Sequence, residues 1–218
     1  MRESATLMTG LRRIPAVWVG IGILALQIAL FQVLLWHMVR GQLDDFNNFV
    51  LLTLHKSSCP ALDTIAIALT EIGGVFGTTF IAVVILGVLL KKGHRREAVV
   101  LTLLLLGGTA FIVEIKDFFQ HARPDLFPSP HAEKGYSFPS GHSLMAVCLY
   151  GSMALALLKA FPHRRAAYAG AVACCLFALS IVWCRLYLGV HWPTDVMGGM
   201  LLGSMWVVVG AVALHETS

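Results

Sequence analysis

Six apolar stretches, at residues 17–38, 73–90, 98–113, 143–158, 166–184 and 196–214, constrain this chain more than any other feature. A helix needs about 20 apolar residues to cross the hydrocarbon core of a bilayer. In that medium every backbone N–H and C=O must be satisfied within the protein, and for such runs the α-helix is the form that does so. The first run, after Arg12 and Arg13, is too long for the core of a cleavable leader and has no small-residue cleavage site, so it reads as a span that stays. The third and fourth runs are short. They reach full length only when extended into polar residues, through Glu114 to Phe119 and back to Ser140. The expected fold class is therefore all-α: a polytopic membrane protein with six transmembrane helices in a bundle. It forms a single domain over residues 1–218, with short interfacial helices on the outer face.

Composition agrees with a bilayer as the surrounding medium. The chain is 57% hydrophobic and 13% charged, where soluble domains carry about 25% charged residues. Its net charge of +4 is divided among short loops with no basic block, which speaks against nucleic acid as a partner. Cys59, Cys148, Cys174, Cys175 and Cys184 show neither CxxC nor Cys/His metal spacing, so no metal or cofactor is called for.

The basic residues also orient the bundle. Arg2, Arg12, Arg13, Lys91, Lys92, Arg95, Arg96, Lys159, Arg164 and Arg165 fall on one side, against Arg40, Lys56, Lys116, Arg123, Lys134 and Arg185 on the other. An excess of Lys and Arg marks the cytoplasmic side, which places both termini in the cytoplasm. Residues 41–72 then lie outside, with Ser57-Ser58-Cys59-Pro60 as a helix start leading to an interfacial helix that ends at Gly73-Gly74.

Three charged clusters sit on that outer side, at the edges of apolar runs. Lys116 and Arg123 are seven residues apart, so both project on one face of a continuous helix, which Pro124 ends at the arginine. In Pro139-Ser140-Gly141-His142, a serine and a glycine at a helix start offer free N–H groups and the positive end of a dipole to an anion. His142 is then placed to give a proton to a leaving alkoxide. In the segment from Arg185 to Asp195, Pro193 marks a first helical turn from which Asp195 reaches back to His191. A carboxylate on one ring nitrogen leaves the other as a nucleophile. Taken singly, each cluster has a plainer account, as interfacial anchors, an ordinary N-cap, or a carboxylate complementing a helix dipole. Arg185 at the end of an apolar span has no comparably cheap one.

The order and spacing of the three resemble the type 2 phosphatidic acid phosphatase superfamily, whose pattern is KxxxxxxRP, PSGH and SRxxxxxHxxxD. Every charged and histidine position matches between Lys116 and Asp195; the serine before the third-motif arginine is Cys184 here. The resemblance implies a metal-independent phosphoryl transfer. His191 would attack phosphorus, Asp195 orient it, and His142 protonate the leaving oxygen. Lys116, Arg123, Arg185 and the Ser140–Gly141 turn would hold the phosphate oxygens, with Cys184 weakening one contact. It implies a bacterial inner-membrane protein in the lipid bilayer acting on a membrane lipid phosphate: undecaprenyl diphosphate, phosphatidylglycerophosphate, phosphatidate or a lipid A phosphate. The polyprenyl diphosphate is favoured because an outward-facing site is where that carrier is released. A lipid phosphotransferase would use the same residues. An anion- or lipid-binding transporter needs the cations but not a His–Asp pair and a second histidine. His121 and His131, in the first-motif loop, are candidates to touch a head group.

Overall fold

Apolar runs in a bilayer close their own backbone hydrogen bonds as helices. The computed structural model describes residues 16–215, among which are eight helices and no strand. They are α1 (Ala16–Val39), α2 (Asp44–His55), α3 (Pro60–Gly73), α4 (Val75–Lys91), α5 (Arg95–Phe119), α6 (Gly141–Ala160), α7 (Arg165–Tyr187) and α8 (Pro193–His215). Arg2, Arg12 and Arg13 lie outside the described residues. Five helices, α1 and α5 to α8, are each long and apolar enough to cross a membrane, and α3 with α4 meets the same measure only as a pair, bent by 50°. At 17 residues α4 rises about 25 Å, short of the roughly 30 Å hydrocarbon core. It therefore depends on α3, or on Lys91 and Lys92 at its end, to complete the crossing.

The polar extensions expected of the third and fourth runs are present: α5 continues to Phe119 and α6 starts immediately after Ser140. Two expectations need correction. Lys116 and Arg123 do not share a helical face. α5 closes at Gln120, whose left-handed φ of 46° returns its N–H to the Lys116 carbonyl at 2.9 Å, a common way for a helix to satisfy its last carbonyls. Arg123 then belongs to a non-helical loop, residues 120–140. Residues 41–72 form two helices rather than one. Asp44 and Asp45 favour the first turn of α2, a start that the sequence reading missed, whereas α3 begins at Pro60 as expected.

Both α2 and α3 are tied to the ends of longer helices. The buried Asn47 of α2 donates to Thr194 Oγ1 and accepts from the Thr194 N–H, each at 3.2 Å. At the start of α3, Tyr187 donates its hydroxyl to Asp63 Oδ1 at 2.7 Å and accepts from the Cys59 N–H at 3.2 Å.

The core centres on α6, which packs against α5, α7 and α8. Leu144, Ala146, Cys148 and Leu149 of α6 and Ile181 of α7 are fully buried. Close approach of α8 to α6 depends on Gly199 and Gly203, four residues apart. A Cβ on Gly203 would stand 2.5 Å from the Leu144 carbonyl oxygen, and one on Gly199 would stand 3.0 Å from Ser143 Cβ. Small residues at this spacing let membrane helices pack backbone to backbone. Here they bring the first turns of α6 and α8 together, so that the Ser140 N–H donates to the Asp195 carbonyl at 3.0 Å. On the outside, Trp18, Leu26, Val33 and Trp36 of α1 and many apolar residues of the other spans are exposed, as lipid-facing surfaces are.

Candidate active site

The turn between α7 and α8 carries His191, and the first turn of α8 carries Asp195; both are buried. His191 Nδ1 lies 3.3 Å from Asp195 Oδ2, which also accepts from the Trp192 N–H at 2.8 Å. The other carboxylate oxygen, Oδ1, lies 3.1 Å from His121 Nδ1. An ionised carboxylate only accepts, so this network assigns a proton to Nδ1 of both histidines. Nε2 of His191 is left with its lone pair facing outward, 3.4 Å from Arg123 Nη1. Burial, opposed by the contact with Asp195, pushes the His191 pKa down to about 4. Its imidazole is thus neutral at neutral pH, a state in which Nε2 keeps the lone pair a nucleophile needs.

The three cations have distinct surroundings. Arg185 is completely buried; its Nη1 donates to Thr70 Oγ1 of α3 and its Nη2 to Glu133 Oε1. Its Nε is buried with no hydrogen-bond partner among the described residues. Arg123 donates to the carbonyls of Gly135 at 3.0 Å and Val190 at 2.7 Å, joining the 120–140 loop to the α7–α8 turn. Its Nη1 also stands 3.0 Å from Glu133 Oε2. Lys116 donates to the carbonyls of Tyr136 and Ser137, so its ammonium anchors the loop that leads into α6.

Glu133, which the sequence reading did not single out, bridges the two guanidiniums, and its Oε2 lies 3.9 Å from His191 Nε2. Partial burial would raise its pKa, but Arg185, His142, His191 and Arg123 together hold it at about 2. A carboxylate anion therefore lies between Arg123 and Arg185, in front of His191.

Ser140 is fully buried. Its hydroxyl oxygen accepts from the Ser143 N–H at 3.4 Å and the Ser143 hydroxyl at 3.0 Å, and its own N–H goes to Asp195. It caps α6 and positions α8. Facing an anion is left to the first-turn N–H groups of Gly141 and His142. The His142 ring reaches the bend between α3 and α4, where a Cβ on Gly74 would stand 3.5 Å from His142 Nε2. Cys184 is buried in an apolar cluster with Ala66, Tyr187, Leu188 and Val190, where a thiol serves as a small hydrophobe.

The two loop histidines expected near a head group differ. His131 Nε2 lies 3.9 Å from both Glu71 and Glu133, at the rim. His121 turns inward to Asp195, and Ser137 fixes it by donating to the His121 carbonyl from both its N–H and its hydroxyl. Sequence spacing carried no sign of the roles of His121, Thr70 or Glu133, because the first two reach their partners across 74 and 115 residues. For Glu133, the only hint was a carboxylate inside a loop bounded by two of the charged clusters.

Residues 97–217 match the PAP2 superfamily. Over 111 residues the chain is 41% identical to phosphatidylglycerophosphatase B of Bacillus subtilis, covering 47% of this chain and 52% of that protein. Over 82 residues it is 35% identical to an undecaprenyl-diphosphatase of Sulfolobus acidocaldarius, covering 38% of this chain and 35% of the other. The chain thus spans about half, or less, of the length of these relatives. Its fold is similar to the crystal structure of a transmembrane PAP2 type phosphatidylglycerolphosphate phosphatase from Bacillus subtilis. The TM-score is 0.83 at 22% identity, over 89% of this chain and 97% of that one. The matched residues take in α5 to α8 and all three charged clusters, and this chain belongs to the PAP2 superfamily.

Proposed function

We propose that this protein is an integral-membrane lipid phosphatase that cleaves a lipid mono- or diphosphate ester through a phosphohistidine, without a metal. One observation supports the reading above the rest: a neutral, carboxylate-oriented imidazole nitrogen faces a pair of guanidiniums already closed on an anion. His191 Nε2 attacks the terminal phosphorus as its bond to the leaving oxygen breaks, the lipid oxygen of a monoester or the bridging oxygen of a diphosphate. His142, entering the step as imidazolium with a proton taken up as the phosphate dianion binds, gives that oxygen its proton. Water then attacks the phosphohistidine with His142 taking a proton from it, releasing inorganic phosphate and restoring both rings. Arg123, Arg185 and the α6 N-terminus hold the equatorial oxygens, where the charge of such a transition state concentrates. In that role they stand in for the divalent cation of other phosphatases. Lys116 and Ser140 act one step back, on the loop and the helix start.

The excess of basic residues at the opposite end of the bundle supports a site facing outward from a bacterial cytoplasmic membrane, with both termini inside. That topology favours undecaprenyl diphosphate as substrate. The relatives named for phosphatidylglycerophosphate and undecaprenyl diphosphate place both lipids first in a panel. Purified protein in detergent is expected to release phosphate from at least one of these or from phosphatidate, equally with and without a chelator, and His191→Ala to abolish release. Release from none of them, dependence on a divalent metal, or full activity of His191→Ala would overturn the proposal.

A further inference from the structure

We propose that Glu133 is a specificity-determining residue. It is an internal anion that fills the phosphate clamp and yields to terminal lipid phosphates carrying nearly two charges, but not to the singly charged phosphodiester head groups of bulk membrane lipids. The inference rests on reading Arg123 and Arg185 as that clamp.

A membrane enzyme meets phosphodiester lipids in large excess, at the same interface and with the same kind of phosphate oxygens as its substrate. Cations alone would hold either. Glu133 changes the comparison because its carboxylate contacts both guanidiniums, and its Oε2 is 3.9 Å from His191 Nε2. A phosphorus poised for attack must stand about 3–3.5 Å from the nucleophile, which is space the carboxylate takes up. Substrate therefore enters by exchange. A phosphodiester trades one negative charge for one and gains little. A phosphomonoester, with a second pKa near 6 and a charge of about −1.5 to −2 at neutral pH, brings more charge and another acceptor oxygen to the same two guanidiniums. Charge matching of this kind sets selectivity more than total affinity.

The exchange needs only a side-chain movement. Arg123 holds the neighbouring carbonyls of Lys134 and Gly135 at 3.3 and 3.0 Å. Ser129 fixes the preceding stretch through the Leu188 carbonyl at 2.6 Å. Glu133 itself is 18% exposed, on the side of His131 at the rim, which is where the displaced carboxylate turns.

The test compares the purified full chain with Glu133→Gln, which keeps the shape and removes the charge. Each is assayed on phosphatidate in neutral-detergent micelles with rising phosphatidylglycerol, a singly charged phosphodiester. Orthophosphate binding is followed separately by calorimetry. The wild type is expected to keep its KM as phosphatidylglycerol rises. In Glu133→Gln, phosphatidylglycerol is expected to become a competitive inhibitor that raises the apparent KM about tenfold, and orthophosphate to bind about tenfold more tightly. If the variant turns over too slowly to assay, the orthophosphate measurement decides. Unchanged or weaker orthophosphate binding by Glu133→Gln, or the same insensitivity to phosphatidylglycerol as the wild type, would overturn the proposal while leaving the phosphatase reading intact. A wild type that neither hydrolyses a lipid phosphate nor binds orthophosphate would remove the clamp reading itself, and this inference with it.

Discussion

Asp195 serves two histidines at once, with one oxygen toward His191 and the other toward His121. The second contact limits how much of the carboxylate's charge His191 feels. A hydrogen bond to a charged group contributes roughly 1.5–3 kcal/mol, and this one fixes the rotation of the carboxylate that aims the His191 ring. His121→Ala is therefore expected to lower kcat about 10- to 100-fold through lost alignment, with little change in KM. With His121 gone, more of the carboxylate's charge faces His191, and the acid limb of the kcat/KM profile, which reports the free enzyme, moves upward from about 4. The direction follows because in the proposed mechanism Nε2 attacks only when His191 is neutral, so activity is lost as pH falls through that pKa. Asn places an N–H close to the position of His Nδ1, and His121→Asn is expected to restore both rate and profile where His121→Gln does not. Equal loss in all three variants with no movement of the acid limb would mean that His121 matters for folding alone.

Among the elements, the α6–α8 contact does most to place the chemistry. Gly203 abuts the backbone of α6 at Leu144, and the same close approach carries Asp195 to Ser140. Overpacking such a contact costs about 1–3 kcal/mol. Gly203→Leu is expected to lower the thermal midpoint in detergent and reduce phosphate release together, whereas Gly87→Leu, on α4 with open space around its Cβ position, does neither. An unchanged midpoint in Gly203→Leu would show that α6 and α8 do not depend on this approach. The elements were legible to different degrees. Spans α5 to α8 follow from apolar runs with motif residues at their ends, since hydrophobic length is a local property. The early closure of α5 at Gln120 was not legible, because the reversal has no glycine to signal it and Pro124 marks a later stop. Helix α2 was also missed. Its chain is too polar to count as a span, and its buried Asn47 finds its partner 147 residues away on α8.

At the scale of the whole molecule, the C-terminal ends of α5 and α7 and the N-terminal ends of α6 and α8 meet at one end of the bundle, where α2 bonds to Thr194 and α3 to Tyr187. At the opposite end Arg96 donates to the Ala213 carbonyl and Lys159 to the Leu214 carbonyl. The chain carries its own reporter of orientation. Cys59, at the start of α3, is exposed at the motif end, while Cys148 and Cys184 are buried and Cys174 and Cys175 lie within the apolar span of α7. In cells stripped of their outer envelope, a membrane-impermeant maleimide is expected to label the protein, and Cys59→Ser to abolish the label. Labelling only in inverted vesicles would reverse the proposed topology and remove the argument for undecaprenyl diphosphate.

The medium, the apolar runs and the gathering of Lys116, Arg123, His142, Arg185, His191 and Asp195 toward one side of them could all be read from the amino-acid order. Hydrophobic run length and the alternation of connections need no tertiary information. That order also carried the His191–Asp195 pairing, because four residues across a helix start are within local reach. How the charges divide their contacts emerges with the packed helices. Lys116 and Ser140 hold backbone, Arg123 and Arg185 close on Glu133, and His121 shares Asp195. The reason is that hydrogen bonds and ion pairs depend on distances of a few ångströms between side chains far apart in the chain. Those distances exist only once α6 and α8 have packed and the 120–140 loop has folded back over their ends.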